Sequence, residues 1–307
     1  LAAAWRLQAA GHEVSVLERT EHVGGRVGVD VRGEWRLDRT LETLHTGDRH
    51  LLAWIRELGL AGSLLPLRPV QIAQVHRGVS SPIDPQSLSA VAGIPGVRWR
   101  DAARLLRWPR LMARYAPQLD PTAPERAAAL DYRSVADFTR LYFGESVYAH
   151  WVAPEVTDAF GGEATERSRV AALLGWRARG TGTSRSARHG VPRRPLAAVA
   201  QRAAEQLAIR LGVEATRIDE RPAGGFDVAC RGQAGGRGEL EADAVVVATS
   251  AAVAGELLAP IAAPAERDHF AAVRTAPEIV LSLALSAPPT GMPQRVRVPR
   301  TEDQPLE

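Results

Sequence analysis

The opening stretch of the chain, up to Arg26, restricts the fold more than any other. Ala2 to Ala10 is a run of small residues around Leu7 that predicts the body of a helix, and Gly11 is placed to end it. Glu13-Val14-Ser15-Val16-Leu17-Glu18 then alternates polar and apolar residues, with β-branched valines, and predicts a strand. A helix, a tight turn and a strand with an acidic end form the later part of a nucleotide-binding β–α–β unit. In such a unit a carboxylate after the second strand accepts the ribose hydroxyl protons, which makes Glu18 a candidate ribose ligand. The unit also requires a first strand and a glycine-rich turn before its helix, yet the helix is already under way at Leu1. The expectation is therefore a strand and a G-x-G-x-x-G turn immediately ahead of Leu1. The chain's two methionines, Met112 and Met292, are both internal, so it does not open on a start residue.

Further along, Thr20 to Gly25 predicts a loop and Arg26 to Leu37 a hairpin turning near Gly33, with Asp48 capping a helix to Leu58 that Gly59 ends. A short strand is expected at Val70–Val75. The middle then becomes helical, over Asp101–Tyr115, Ser134–Phe143, Ser146–Ala159 and Glu166–Arg177. A long helix is expected from Leu196 to Leu211, then a strand at Val213–Ile218 and a small hairpin from Phe226–Cys230 and Gly238–Glu241. Asp243-Ala244-Val245-Val246-Val247-Ala248-Thr249 reads as a buried strand before a helix start, and Glu278–Leu285 as one more strand. The β–α character thus sits at both ends of the chain with a helical insertion between, an α/β design whose first domain is discontinuous.

Composition removes several chemistries. All 38 basic residues are arginine, which excludes Schiff-base catalysis, a pyridoxal-phosphate lysine and a P-loop lysine. Cys230 stands alone, so the chain has no internal disulfide and no thiolate zinc cluster, which fits a reducing, cytoplasmic setting. The eight histidines show no HExxH-type spacing, and no metal is expected. No stretch approaches the roughly 18 consecutive apolar residues of a membrane span. Arginine is spread through the whole chain without a recognition motif, so no nucleic-acid partner is expected.

LAAAWRLQAAGHEVSVLERTEHVGGRV, with its acidic strand end, spacer and Gly24-Gly25-Arg26, resembles the opening of the FAD-dependent flavin amine oxidase superfamily, on its protoporphyrinogen oxidase and phytoene desaturase branch. The resemblance implies FAD as cofactor, with the ribose on Glu18, backbone approach at Gly24 and Gly25, and Arg26 beside the pyrophosphate. Glycine leaves room for such an approach, and a guanidinium can bind phosphate oxygens in pairs. It further implies that Ala215, in Val213–Ile218, contacts adenine through its backbone, and that Ala242–Ala252, with Thr249, returns beside the cofactor. Ser134–Gly162 resembles the substrate-domain helices of the protoporphyrinogen oxidase branch.

The implied architecture is a discontinuous Rossmann-like FAD-binding domain over 1–69 and 191–260. Into it is inserted an α+β, mainly helical substrate domain over 70–190, and a second substrate-domain segment starts at 261–307. The chain departs from the family at Asp38-Arg39-Thr40, where the pattern is Asp-x-Gly, and no C-terminal Gly-Asp flavin segment occurs before Glu307. With both phosphate-facing turns incomplete, the chain by itself is expected to bind FAD poorly.

The implied function is dehydrogenation of a bulky lipophilic substrate, as in protoporphyrinogen oxidases. A carotenoid or squalene-type desaturase is the alternative enzyme, and a non-catalytic flavoprotein-like scaffold the alternative outside catalysis. Absence of the lysine that amine oxidases of the superfamily place near the flavin weighs against amine oxidation. No catalytic residue is assigned, since in this chemistry the flavin accepts the hydride.

Trp99–Tyr115 adds a candidate peripheral membrane contact. Arg100, Arg104, Arg107, Arg110 and Arg114 share about a third of a helical wheel. Leu105, Trp108, Met112 and Tyr115 form the neighbouring apolar stripe, the composition of a membrane-surface helix. The same pattern also suits a solvated helix covering the substrate domain, kinked by Pro109.

Overall fold

The computed structural model describes residues 1–39, 43–120, 123–183, 188–232, 235–275, 279–281, 283, 285–287 and 291–302. The chain divides into two compact units, Leu1–Glu42 with Arg194–Thr275, and Thr43–Arg193 with Ala276–Glu307. The mixed α/β character is as expected. The breaks fall near residues 42, 193 and 275, where the sequence suggests 69, 190 and 260.

In the first unit the helix Ala2–Ala9 ends where Gly11 takes φ +91°, and the backbone N–H of His12 closes the turn on Leu7 O at 3.1 Å. The strand Ser15–Glu18 follows and pairs in parallel with Ala208–Leu211, Ser15 opposite Ala208 and Glu18 opposite Leu211. Leu196–Leu211 is therefore not one helix. The helix is Ala197–Ala204, and the chain then straightens because Leu207, Ile209 and Leu211 are apolar with period two, while the parallel neighbour supplies backbone partners.

Val213–Glu220, Phe226–Gly232 and Arg237–Ala242 form an antiparallel three-stranded sheet, with a bulge between Ala215 and Arg217. Ile218, Val228 and Leu257 of the helix Ala251–Leu258 are its buried centre, and Leu17, Ala215, Val245 and Val247 pack around them. The expected buried strand at Asp243–Thr249 is a correction. It forms no strand and pairs with none among the described residues. Only Val245 and Val247 turn inward, and Val246 is 61% exposed.

The second unit is built on a helical core. Val135–Phe143 is capped by Ser134 Oγ, which accepts from the N–H of Asp137 at 3.0 Å, and Arg169–Arg179 is capped by Ser168 and ended by Gly180 at φ +63°. The expected helix Ser146–Ala159 is broken by a π turn at Tyr148–Val152 between Glu145–Val147 and Ala153–Phe160. Trp108, Trp151 and Trp176 meet at ring-centre distances of 5.0 to 5.8 Å, and Trp108 Nε1 donates to Thr181 O at 3.0 Å. Beside this core, Ile72–His76 pairs antiparallel with Val79–Ile83 and parallel with Arg295–Arg297.

The expected helix Asp101–Tyr115 is three pieces: Trp99–Arg104, a 3₁₀ turn at Leu105–Arg107, and Trp108–Tyr115, with Pro109 in the first turn of the last. Its apolar stripe does not face outward. Leu105, Trp108 and Tyr115 are buried in the core, with Met112 packed against it, so they are unavailable to a lipid surface. In the expected strand Glu278–Leu285, residues 278, 282 and 284 lie outside the described residues. The remaining positions form no strand, and Ile279 is 95% exposed.

Candidate cofactor site

Glu18 closes the strand Ser15–Glu18 in the first unit and is half-buried. The backbone N–H of Thr20 donates to Glu18 Oε1 at 2.8 Å, and the Thr20 hydroxyl lies at the same distance. That hydroxyl is also 2.8 Å from His22 O, so its single proton serves one acceptor or the other. Thr20 O in turn accepts from the N–H of Gly212 at 3.1 Å, which ties the loop to the start of the antiparallel sheet. The carboxylate is thus oriented through one oxygen, and the second can accept from a ligand hydroxyl.

The two glycines of the loop differ. Gly24 has φ +110°, and a Cβ there would stand 3.1 Å from Val27 O and 3.3 Å from Ala200 Cβ. Its bareness lets the loop approach the helix Ala197–Ala204. Gly25 has φ +55°, and a Cβ there would meet no atom within 4 Å, so its outer side is open. Arg26 follows in the same turn, which the N–H of Val27 closes on Gly24 O at 3.0 Å, and its side chain is exposed.

Three residues beside this loop carry no signal in the sequence alone. The Arg39 guanidinium donates to Asp30 Oδ1 at 2.9 and 3.1 Å and lies 2.9 Å from His22 Nε2. Its stem covers Gly28, where a Cβ would come within 2.9 Å of Arg39 Cδ. The hydrogen bond from Arg39 holds the Asp30 carboxyl below its ordinary pKa. Gly28, the position this stem requires to be bare, is the one residue that could have announced the arrangement. Thr40 lies outside the described residues.

Ala215 is half-buried opposite Cys230 and packs, like Leu17 just before Glu18, against the Ile218–Val228–Leu257 centre. Thr249 is exposed, and its hydroxyl donates to Ser250 O at 3.2 Å just before the helix Ala251–Leu258. The structure therefore gathers Glu18, Gly24, Gly25 and Arg26 on one strand end and its loop, with Ala215 on an adjoining layer, and keeps Thr249 at a separate turn. An oriented carboxylate, an open glycine and an exposed guanidinium fit the ribose and pyrophosphate of a dinucleotide. Among the described residues no group of three or more His, Cys, Asp or Glu side chains is placed to hold a metal.

The second unit holds a charged group as well. Glu155, 5% exposed, accepts from Arg179 Nη2 at 2.8 Å and Trp176 Nε1 at 3.2 Å, all on Oε1. Asp158, one helical turn on, accepts from Arg295 at 2.8 Å and Arg297 at 3.0 Å.

Residues 1–302 match the family described as flavin containing amine oxidoreductase. A coproporphyrinogen III oxidase from Propionibacterium freudenreichii subsp. freudenreichii is 28% identical over 175 residues, 56% of this chain and 32% of that protein. Among solved structures, a triple mutant of putrescine oxidase aligns with a TM-score of 0.65 at 20% identity, over 88% of this chain and 60% of the other. A conjugated-linoleic-acid-producing fatty acid isomerase from P. acnes aligns with a TM-score of 0.59 at 16% identity, over 88% and 60%. The chain spans about a third of the length of the curated relative and three fifths of these solved chains. At such identities the structures speak for the fold alone, and an oxidase and an isomerase share it. The match over nearly the whole length decides membership: the chain belongs to the flavin containing amine oxidoreductase family.

Proposed function

We propose that the protein carrying this chain is an FAD-dependent oxidoreductase that dehydrogenates a bulky, lipophilic substrate of the porphyrinogen kind. The observation that carries this reading is the family match, together with the coproporphyrinogen III oxidase among its relatives. This chain itself carries no lysine, the amine that amine oxidation in this superfamily would use. A discontinuous Rossmann-like FAD-binding domain with a mainly helical substrate domain is the architecture that goes with the reading.

In this proposal Glu18 accepts the adenosine ribose hydroxyls through the oxygen that Thr20 leaves open, and Arg26 donates to the pyrophosphate across the bare face of Gly25. Gly24 keeps that loop seated on the helix Ala197–Ala204. The Ala215 backbone would lie along the adenine and Thr249 beside the cofactor. When bound, FAD supplies the acceptor for the substrate's hydride. The chain's part is to bind and orient it, which is why no acid–base triad is needed.

The test is the visible spectrum of the purified protein, followed by anaerobic mixing with coproporphyrinogen III, protoporphyrinogen IX, phytoene and squalene. A flavin spectrum that bleaches, as the cofactor takes up two electrons, only with the porphyrinogens is the expected result. A flavin protein that desaturates phytoene or squalene instead overturns the substrate, and a protein that takes up no flavin overturns the enzyme.

A further inference from the structure

Segment 98–118 holds six arginines and a single acidic residue, Asp101, an excess of five positive charges. The whole chain has an excess of three, so everything outside this segment is net negative by two. Asp101 does little to offset its neighbours at the surface. It accepts from the backbone N–H and hydroxyl of Ser146 at 3.1 and 2.7 Å, pairs with Arg104 at 3.7 Å, and its side chain is 17% exposed.

The opposite side of the segment is anchored. Leu105, Trp108, Leu111 and Tyr115 are buried in the helical core, so the arginines are carried on a fixed support. Arg107, Arg110 and Arg114, spaced by three and four, are all exposed on one side of that support. Two large apolar side chains stand out among them, Trp99 at 75% and Leu106 at 85% exposure. The Arg100 guanidinium lies 5.4 Å from the Trp99 ring centre, so charge and apolar surface meet in one patch.

The geometry points to a docking surface for an anionic lipid bilayer, with Trp99 and Leu106 entering the headgroup boundary and the exposed arginines above it on lipid phosphates and carboxylates. The partner is a lipid surface and not a polynucleotide because of those two side chains. A phosphate backbone satisfies arginines alone, whereas an exposed tryptophan and leucine between arginines gain only where an apolar phase lies behind the charges. This surface differs from the one the helical wheel suggests, since the wheel's apolar stripe is used by the core.

Flotation of the protein with vesicles of phosphatidylcholine alone, and with about a third phosphatidylserine, tests the assignment. Binding is expected only to the anionic vesicles. Each arginine near such a surface contributes roughly fivefold in partitioning, so Arg100→Gln, Arg107→Gln and Arg110→Gln together should weaken it about a hundredfold. Trp99→Ser with Leu106→Ser keeps every charge and should remove the part of binding that survives high salt. All five positions are exposed, and far-UV circular dichroism confirms that the variants fold. Equal binding to both vesicle types, no binding to either, or binding unchanged by the substitutions overturns the proposal. So does tighter binding to a DNA duplex that is lost with the same arginines but not with Trp99 and Leu106.

Discussion

Gly24 and Gly25 are adjacent and alike in sequence, but the structure gives alanine at each a different consequence. At Gly24 an alanine would be held at φ +110°, and its Cβ would press on Val27 O at 3.1 Å and Ala200 Cβ at 3.3 Å. A side chain in left-handed backbone costs roughly 1–2 kcal/mol, and this φ lies beyond the usual left-handed well near +57°. The lost freedom of the unfolded chain returns about 0.4–1 kcal/mol. With the two tight contacts added, Gly24→Ala should lower the stability of the first unit by about 2 kcal/mol. At Gly25 the φ of +55° sits in that well and no atom lies within 4 Å, so the two terms nearly cancel and the loss should stay within about 1 kcal/mol. FAD affinity should rank them the other way. If the cofactor passes over Gly25, a methyl there should weaken binding by at least about tenfold, or 1.4 kcal/mol, in a protein that is still folded. Urea unfolding followed by circular dichroism gives the first quantity, and flavin fluorescence titration of the full-length protein that carries this chain gives the second. A Gly24→Ala protein as stable as the parent refutes the packing of the loop on the helix. A folded Gly25→Ala protein with unchanged FAD affinity refutes the route of the cofactor.

Glu155→Gln should destabilise the second unit by about 3 kcal/mol, because it leaves the largely buried Arg179 without its carboxylate. Glu155→Leu combined with Arg179→Met should recover most of that loss in a double-mutant cycle, and a double variant no better than Glu155→Gln would contradict the assignment. Burial first, then His76, lowers the pKa of His150, while burial first, then Arg179, lowers that of His45. Both hold a proton less readily when folded than when unfolded, and below about pH 6.5 the chain takes up protons on unfolding. Their contribution is therefore complete above the unfolded value near about 6.5 and is lost as pH falls through the folded values. The urea midpoint should decline below that pH, and His45→Gln with His150→Gln should flatten the decline. An unchanged slope in that variant would place the titration elsewhere.

Local signals in the sequence were legible wherever a single residue forces the backbone. Gly11, Gly33 and Gly59 all take positive φ at the turns where the sequence placed them, and Ser134 caps the helix it precedes. The errors arise where partners are remote. Leu196–Leu211 contains both a helical and an alternating pattern, and the decision at Ala208–Leu211 comes from a strand nearly two hundred residues earlier. The wheel drawn for Trp99–Tyr115 correctly separates a charged side from an apolar one. It cannot say that Trp151 and Trp176, from two other helices, cover the apolar side. Arg39, Asp30 and His22 meet through a hairpin and a loop, so no spacing rule connects them.

The lysine-free composition has a structural meaning beyond the chemistries it excludes. A buried ammonium is a point charge that must find its acceptors in a small sphere, whereas a guanidinium spreads its donors in a plane and stacks on rings. The second unit uses that difference several times. Arg169 is 1% exposed, and among the described residues its hydrogen bonding has no carboxylate partner. Its Nε donates to Leu130 O at 2.6 Å, and the guanidinium lies 4.3 Å from the Tyr132 ring centre. Arg297, 8% exposed, shares Asp158 with Arg295, and Arg179 shares Glu155 with an indole N–H. Exchanging any of these for lysine would therefore remove bonds while preserving charge. These are exceptions, because most of the described arginines are exposed and balanced by carboxylates elsewhere in the sequence. It follows that the whole-chain excess understates the local one, which is concentrated along 98–118, where a membrane could use it.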